Sequence, residues 1–314
     1  MNVPYGSKNI ISPQAANHAY GASVAGEAIT SIHAVTKKSV RGYLSTKIDG
    51  TPQHRKPHLL YQPQVDMFNG RIAGAEARVH WSHAGRPMPS GSAPTSRLGC
   101  LAMEKAMSEW AVRKACMHAS SMNREALPVM RTTIRLSAQQ LMDPRLDGYL
   151  RESINDAAIR PELIECGIGE SALLENHRAL TPILRKLADT GVRIAVRDFG
   201  SDRSALSYPK QFPVNAIWID HSFFWRFADG SGAREIIASV LAMAEKQGLS
   251  MVACGVQDLR QMMMLYQEGC RVMQGNFLCR PLPLDALKTA LREMGGVLQQ
   301  PPHGGFHVGQ RTAA

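Results

Sequence analysis

The sequence predicts an α/β protein in which one parallel β/α barrel carries an outer ring of helices. Three observations lead there. Strand-like and helix-like stretches alternate between about residue 56 and residue 290. The strand-like stretches place apolar residues at every second position, and the helix-like ones place them along a single face. Repeated alternation of this kind favours a parallel sheet covered by helices.

Met130, Thr132, Ile134 and Leu136 alternate as one strand. Leu180, Ile183, Leu184 and Leu187 share one side of a helix, and Val192, Ile194 and Val196 form the strand after it. Ile217 and Ile219 mark a further strand. Ile236, Ile237, Val240, Leu241 and Ala244 line a helix that Gly248 ends. A parallel barrel assembles its site from the carboxyl ends of strands. The site is therefore expected around residues 76, 135, 167, 197, 218, 254 and 274. Periodicity alone fits an open doubly wound sheet equally well.

The chain has 314 residues, 44% of them hydrophobic, enough for one large barrel core. Aromatics are few, at 6%, and the 16 methionines are expected to share the filling of that core. Residues 1–55 read as a basic, mostly disordered arm with one short helix near Ala22 to Ile32. Residues 56–290 read as the barrel and 291–314 as a tail. Half of the formal net charge of +10 falls in the first 56 residues, where Lys8, Lys37, Lys38, Arg41, Lys47, Arg55 and Lys56 face Glu27 and Asp49. The arm is a weak candidate for nucleic-acid contact, because its lysines are scattered and few aromatics lie between them. No run reaches transmembrane length and no apolar stretch opens the chain, so no membrane insertion and no signal peptide are expected. The cysteines at 100, 116, 166, 254, 270 and 279 form no Cys-x-x-Cys pair and no zinc spacing. Free thiols and a cytoplasmic location are the expectation.

Several segments carry a further signal through their order and spacing. They are Tyr61-Gln62-Pro63-Gln64-Val65-Asp66, Gly74-Ala75-Glu76-Ala77-Arg78-Val79-His80-Trp81, Trp110-Ala111-Val112-Arg113-Lys114-Ala115, Gln274-Gly275-Asn276-Phe277-Leu278 and Arg280-Pro281-Leu282-Pro283. Together they resemble the EAL family of bacterial cyclic di-GMP phosphodiesterases. The resemblance covers nearly all of the globular part and selects the barrel over the open sheet. It implies hydrolysis of one phosphodiester bond of cyclic di-GMP at a pair of Mg²⁺ or Mn²⁺ ions, which need clustered oxygen ligands.

Carried over position by position, the resemblance implies eight core groups, of which Glu76, Asp198 and Gln274 remain. Arg135 stands for an asparagine, Gly167 for a glutamate, Arg197 for the first of two aspartates, Trp218 for a lysine and Cys254 for a glutamate that would act as base. Gln257 replaces a second glutamate, Arg78 the signature leucine and His80 a phosphate-contacting arginine. Glycine offers no side-chain ligand, and arginine is a permanent cation. Two unit charges about 4 Å apart interact by about 4 kcal/mol at an effective dielectric near 20. Mg²⁺ and Mn²⁺ binding is therefore expected to be lost, with no cofactor in its place. Arg135 and Arg197 are expected to pair with Glu76 and Asp198.

The expected function is that of a catalytically inactive member of the family, not an enzyme, acting in cyclic di-GMP-related signalling of the motility or biofilm kind. It would regulate by contact with a protein partner, for which the resemblance suggests a transcription regulator. One alternative is a metal-independent cyclic di-GMP receptor, whose ligand contacts would come from Gln62, Arg78, His80, Arg135, Arg197, Trp218 and Gln257. Trp218 would stack a base there; the competing reading has it filling volume. A second alternative is a weak cyclic di-GMP phosphodiesterase. Glu170 is read as support for the loop after Asp198, either simply holding backbone amides or serving a signalling role. Cys254 is read as a buried, inert thiol.

Overall fold

A computed structural model describes residues 57–83, 86–88, 97–200, 212–222 and 232–294. The expected arm with its short helix, the loop from Ser201 to Leu206 and the segment from Pro301 lie outside the described residues. The chain opens with β1 (His58–Asp66), β2 (Arg71–His83) and β3 (Arg86–Met88), followed by α1 (Arg97–Arg124). Then come β4 (Arg131–Leu136), α2 (Ala138–Leu141), α3 (Leu146–Ala157), β5 (Ile164–Gly169), α4 (Glu170–Glu175) and α5 (His177–Ala188). The remainder is β6 (Arg193–Phe199), β7 (Ala216–Ile219), α6 (Gly232–Lys246), β8 (Ser250–Cys254), α7 (Leu259–Gln267), β9 (Val272–Gln274) and α8 (Leu284–Glu293). The last helix runs three residues past the boundary expected at 290.

The strands form one closed ring, β1-β2-β4-β5-β6-β7-β8-β9, with β1 paired to both β2 and β9. The short β3 pairs only with β2, outside the ring. Seven strands run parallel, but β1 is antiparallel to both of its neighbours. The cause is local. Only residues 67–70 connect β1 to β2, and so short a link makes a hairpin, whereas a parallel neighbour needs a crossover of a dozen residues or more.

Period-two alternation sorts the side chains into two layers. On β6, Ile194 and Val196 join the apolar layer under the helices, which also takes Leu180, Leu184 and Leu187 of α5. Ala195 faces the other way, into a small lumen cluster with Ala216, Trp218 and Val252. The same parity sends Arg193 and Arg197 into the lumen. Most barrels fill this space with branched apolar side chains. Here Glu76, Thr133, Glu165, Arg197 and Gln274 are buried there instead.

Two loops turn sharply at the carboxyl ends of strands. Ser137 caps α2 directly after β4, with its hydroxyl accepting from the Gln140 amide and the Gln140 side chain returning the bond. Asp258 caps α7, its side chain accepting from the Gln261 amide. Gly275 closes the ring after β9: a Cβ there would stand 2.1 Å from the Val256 carbonyl oxygen. Gly275→Ala must move backbone, so it is expected to lower the urea midpoint by the equivalent of about 3 kcal/mol or more, or to abolish folded yield. Gly148→Ala is the converse. It lies in α3 with nothing within 4 Å of a new Cβ, and the same titration should show a gain of about 0.5–1 kcal/mol.

Candidate functional site at the barrel mouth

The carboxyl ends of the strands bring the expected positions together, and charge pairing organises them. Glu76 on β2 is 1% exposed and points into the lumen. Its Oε1 lies 2.9 Å from Arg197 Nη1, and its Oε2 accepts from Arg78 Nε at 3.2 Å and from Gln274 Nε2 at 2.7 Å. Burial by itself would raise this carboxyl, but Arg197, Arg78, the Gln274 bond and Arg135 together hold it below the ordinary glutamate range. Arg197 is itself 4% exposed. Burial disfavours its charge, and Glu76 together with Cys254, Asp198 and Glu165 more than restores it.

Three of the exchanged positions prove to be one packing unit. The Arg197 stem crosses Gly167, where a Cβ would come within 2.5 Å of Arg197 Cδ. The guanidinium carbon lies 4.4 Å from the centroid of the Trp218 ring. So the glycine makes room for the arginine and the indole supports it. Arg197 Nε and Nη1 nevertheless lack an aligned acceptor. The contact with Glu76 is a close charge pair, not a well-directed hydrogen bond.

A second pair stands nearer to solvent. Arg135 Nη2 donates to Asp198 Oδ2 at 2.7 Å, both side chains being more than a third exposed. Asp198 has φ of 56°, in the left-handed region, and the register of β6 against β7 slips there. That twist turns the carboxylate to the mouth and sends the next residue, Phe199, into the apolar layer. Just beyond, buried Glu170 accepts the Gly200 amide at 2.9 Å.

The expected ligand contacts divide by exposure. Arg78 and Arg135 are accessible, with side chains 38% and 41% exposed. His80 is exposed and stacks at a tilt on His58, with ring centroids 4.9 Å apart. Gln257 is exposed where its amide donates to the Gln261 side chain ahead of α7. Three expected contacts need correction. Trp218 is 1% exposed inside the lumen cluster, so it fills volume and has no free face for a base. Arg197 is buried beneath Glu76. Gln62 is buried and committed, donating to Asn276 Oδ1 and the Cys279 carbonyl and accepting from Gln274. Cys254 lines the same lumen, and burial pushes its thiol upward in pKa, which leaves it protonated.

Sequence reading missed the layer below. Thr133 Oγ1 donates to Glu165 Oε1 at 3.0 Å, and Arg193 Nε lies 3.6 Å from Glu165 Oε2. The available signal was parity, because Arg193 stands four residues before Arg197 on one strand and so shares its face.

The two pairs should differ sharply in stability. Glu76→Gln leaves Arg197 buried without a counter-charge and is expected to cost about 3–5 kcal/mol. Asp198→Asn, half-exposed, should cost about 1 kcal/mol or less. The Glu76 contribution follows from a depressed carboxyl: it is full above the unfolded-state pKa, near 4.3, and is lost as pH falls toward the lower folded-state value. Acid titration of the urea midpoint should therefore show a steeper decline below about pH 4 in the parent than in Glu76→Gln.

Comparison with known proteins agrees with this architecture. The model of the EAL domain matches residues 46–281. An uncharacterized signaling protein of Caulobacter vibrioides is 34% identical over 229 residues, covering 72% of this chain and 28% of the relative. The cyclic di-GMP phosphodiesterase NbdA of Pseudomonas aeruginosa is 30% identical over 237 residues, covering 74% and 30%. The chain thus spans about a third of the length of the curated relatives it matches. Among solved structures, PaMucR phosphodiesterase in its c-di-GMP complex superposes with a TM-score of 0.66 at 26% identity, covering 80% of this chain and 99% of that one. These findings overturn the expectation that the chain is not an enzyme. Relatives at this identity are named cyclic di-GMP phosphodiesterases, and exchanged side chains at separate positions do not by themselves establish that activity is lost. With a family model covering most of its length and a 34% identical relative matched over 72% of it, the chain belongs to the EAL domain family.

Proposed function

We propose that this chain acts in cyclic di-GMP signalling, and that its barrel mouth recognises the cyclic dinucleotide through arginine in place of divalent ions. The observation that carries the reading is the double pairing of Arg197 with Glu76 and Arg135 with Asp198. The donor set does not suit a pair of Mg²⁺ or Mn²⁺ ions. Such ions need several converging oxygens, whereas Gly167 offers none and the carboxylates on β2 and β6 already face guanidiniums. An ion entering here would meet fixed cations on β2, β4 and β6, each opposing it by about 4 kcal/mol at 4 Å and an effective dielectric near 20.

Cyclic di-GMP is a dianion with two phosphodiester groups. Arg78 and Arg135 present exposed guanidiniums at the mouth among the described residues, and each has donors beyond the one its carboxylate uses. Planar, permanently charged groups suit phosphate oxygens. The c-di-GMP complex of the 26% identical PaMucR phosphodiesterase supports the same ligand class for this chain.

Regulation through a protein partner is the further step in this reading. Large apolar side chains, Met142 and Leu259, stand exposed on segments that leave the carboxyl ends of β4 and β8. Cys116, Cys166, Cys254, Cys270 and Cys279 are free thiols, which suits the reducing cytoplasm. No helix among the described residues is long and apolar enough to cross a membrane.

Calorimetric titration of the full chain with cyclic di-GMP tests the reading. Binding should be equally strong in EDTA and in millimolar Mn²⁺, and Arg135→Met should weaken it about tenfold. Absence of binding, or binding that appears only with Mn²⁺, would sink the proposal. Chromatography of the same samples for linear pGpG reads phosphodiester cleavage directly, and cleavage confined to the Mn²⁺ sample would equally count against a metal-free mouth. For the partner step, Met142→Glu with Leu259→Glu should release proteins retained from the native host by the parent chain, and unchanged retention would remove these two residues from the proposed contact.

A further inference from the structure

We propose a second anion site at the opposite, amino-terminal end of the barrel, built around Arg131 and Arg193 and suited to a small tetrahedral oxyanion. The strand starts supply its charge. Arg71 opens β2, Arg131 opens β4, Arg193 opens β6, and Arg271 immediately precedes β9. Two carboxylates lie among them. Asp66 is taken by Arg271 at 2.8 Å, and buried Glu165 is shared between Arg193 and the Thr133 hydroxyl. Arg131 has no carboxylate within 4.0 Å among the described residues. Parity on β4 puts it on the face of Thr133 and Arg135, one layer below the Thr133–Glu165 bond. This end of the lumen therefore holds more guanidinium than carboxylate.

Unused donors point the same way. Arg193 Nη2 reaches the Asn215 carbonyl and Ser250 Oγ, each at 3.3 Å, and its buried Nε is turned to Glu165 Oε2 at 3.6 Å without an aligned hydrogen bond. Gln64 is 3% exposed, and its Nε2 is buried with no acceptor. The register places Gln64, Gly74 and Arg131 in one row across β1, β2 and β4. Gly74 leaves a gap in that row, and the Gln64 amide fills it, its Oε1 lying 2.6 Å from where a Gly74 Cβ would be. Burial first, and then the neighbouring Arg131 charge, lower the Arg193 pKa, which agrees with positive charge crowded at this floor. Buried donors without acceptors are costly. A single oxyanion accepts from several at once, and forked guanidiniums match its geometry. The floor is open to it, since Arg131, Arg193, Asn215 and Ser250 are each partly exposed.

Inorganic phosphate is the probe. The full chain is titrated calorimetrically at constant ionic strength as parent, Arg131→Met and Arg135→Met. Saturable binding in the parent that Arg131→Met weakens about tenfold, while Arg135→Met leaves it unchanged, supports the floor site. No saturable binding in the parent, equal binding by Arg131→Met, or loss confined to Arg135→Met, which would put the ion at the mouth, overturns it. Arg131 is partly exposed and has no ion pair among the described residues, so its methionine variant should keep the parent's thermal midpoint. Should that variant fail to fold, parent crystals soaked in selenate decide the matter: an anomalous peak between Arg131 and Arg193 supports the site, and no peak there rules it out.

Discussion

A guanidinium buried inside a β-barrel constrains everything around it. Removing an arginine from water without a counter-charge is expensive, and even a paired one leaves donors that must be aligned. Arg197 meets that demand through Glu76, and Glu76 in turn needs Gln274 and Arg78 to satisfy its second oxygen. Gln274 is itself held by Gln62, which is anchored to Asn276 and the Cys279 carbonyl beyond β9. One charge on β6 thus fixes side chains on β1, β2 and β9, across the lumen and around the point where the ring closes. The two unaligned nitrogens of Arg197 show that this satisfaction is incomplete, so the charge pair and the Trp218 face supply most of its support.

Backbone geometry makes that arrangement accessible. Alternation along β6 sends Arg193, Ala195 and Arg197 to the lumen, then breaks at Asp198, whose left-handed conformation turns a second carboxylate outward. Without the break, Phe199 would follow Arg197 into the polar lumen and leave the apolar layer. The result is a graded site. A closed pair lies at depth, between Arg197 and Glu76, and an open pair lies at the surface, between Arg135 and Asp198. Solvent screens the outer pair, so its partners separate at little cost, while the inner one is held together by burial.

Much of this was legible in the chain itself, and the unreadable parts share a cause. Period-two runs at 130–136 and 192–196 identified β4 and β6, and the face formed by Leu180, Leu184 and Leu187 identified α5, because burial writes those periods directly into composition. The strand-end positions followed from the barrel reading, which the resemblance selected over an open sheet, and the pairing of two arginines with two carboxylates followed from charge. The direction of β1 was not read, although its four-residue link to β2 contains the answer. Nor were the burial of Trp218 and Gln62 or the layer of Thr133, Glu165 and Arg193. Those depend on which residues a closed ring sets opposite one another, and a one-dimensional pattern does not carry that information.

The relation between Gly167 and Arg197 shows why counting exchanged residues misled the reading of activity. Thirty positions apart in sequence, the two are neighbours on β5 and β6, and the missing side chain of one is the space used by the other. Trp218 takes the next face of the same guanidinium. Three exchanges that look like independent losses therefore form one substitution in physical terms, a packed cation exchanged for a different set of groups. What such a unit does depends on the charge it presents at the mouth and on the ligand that meets it, and not on how many positions differ from the relatives. Relatives of this chain are named phosphodiesterases. Their likeness assigns it to a signalling family, and under the proposed reading the exposed guanidiniums of Arg78 and Arg135 set the terms on which an anionic dinucleotide would be received.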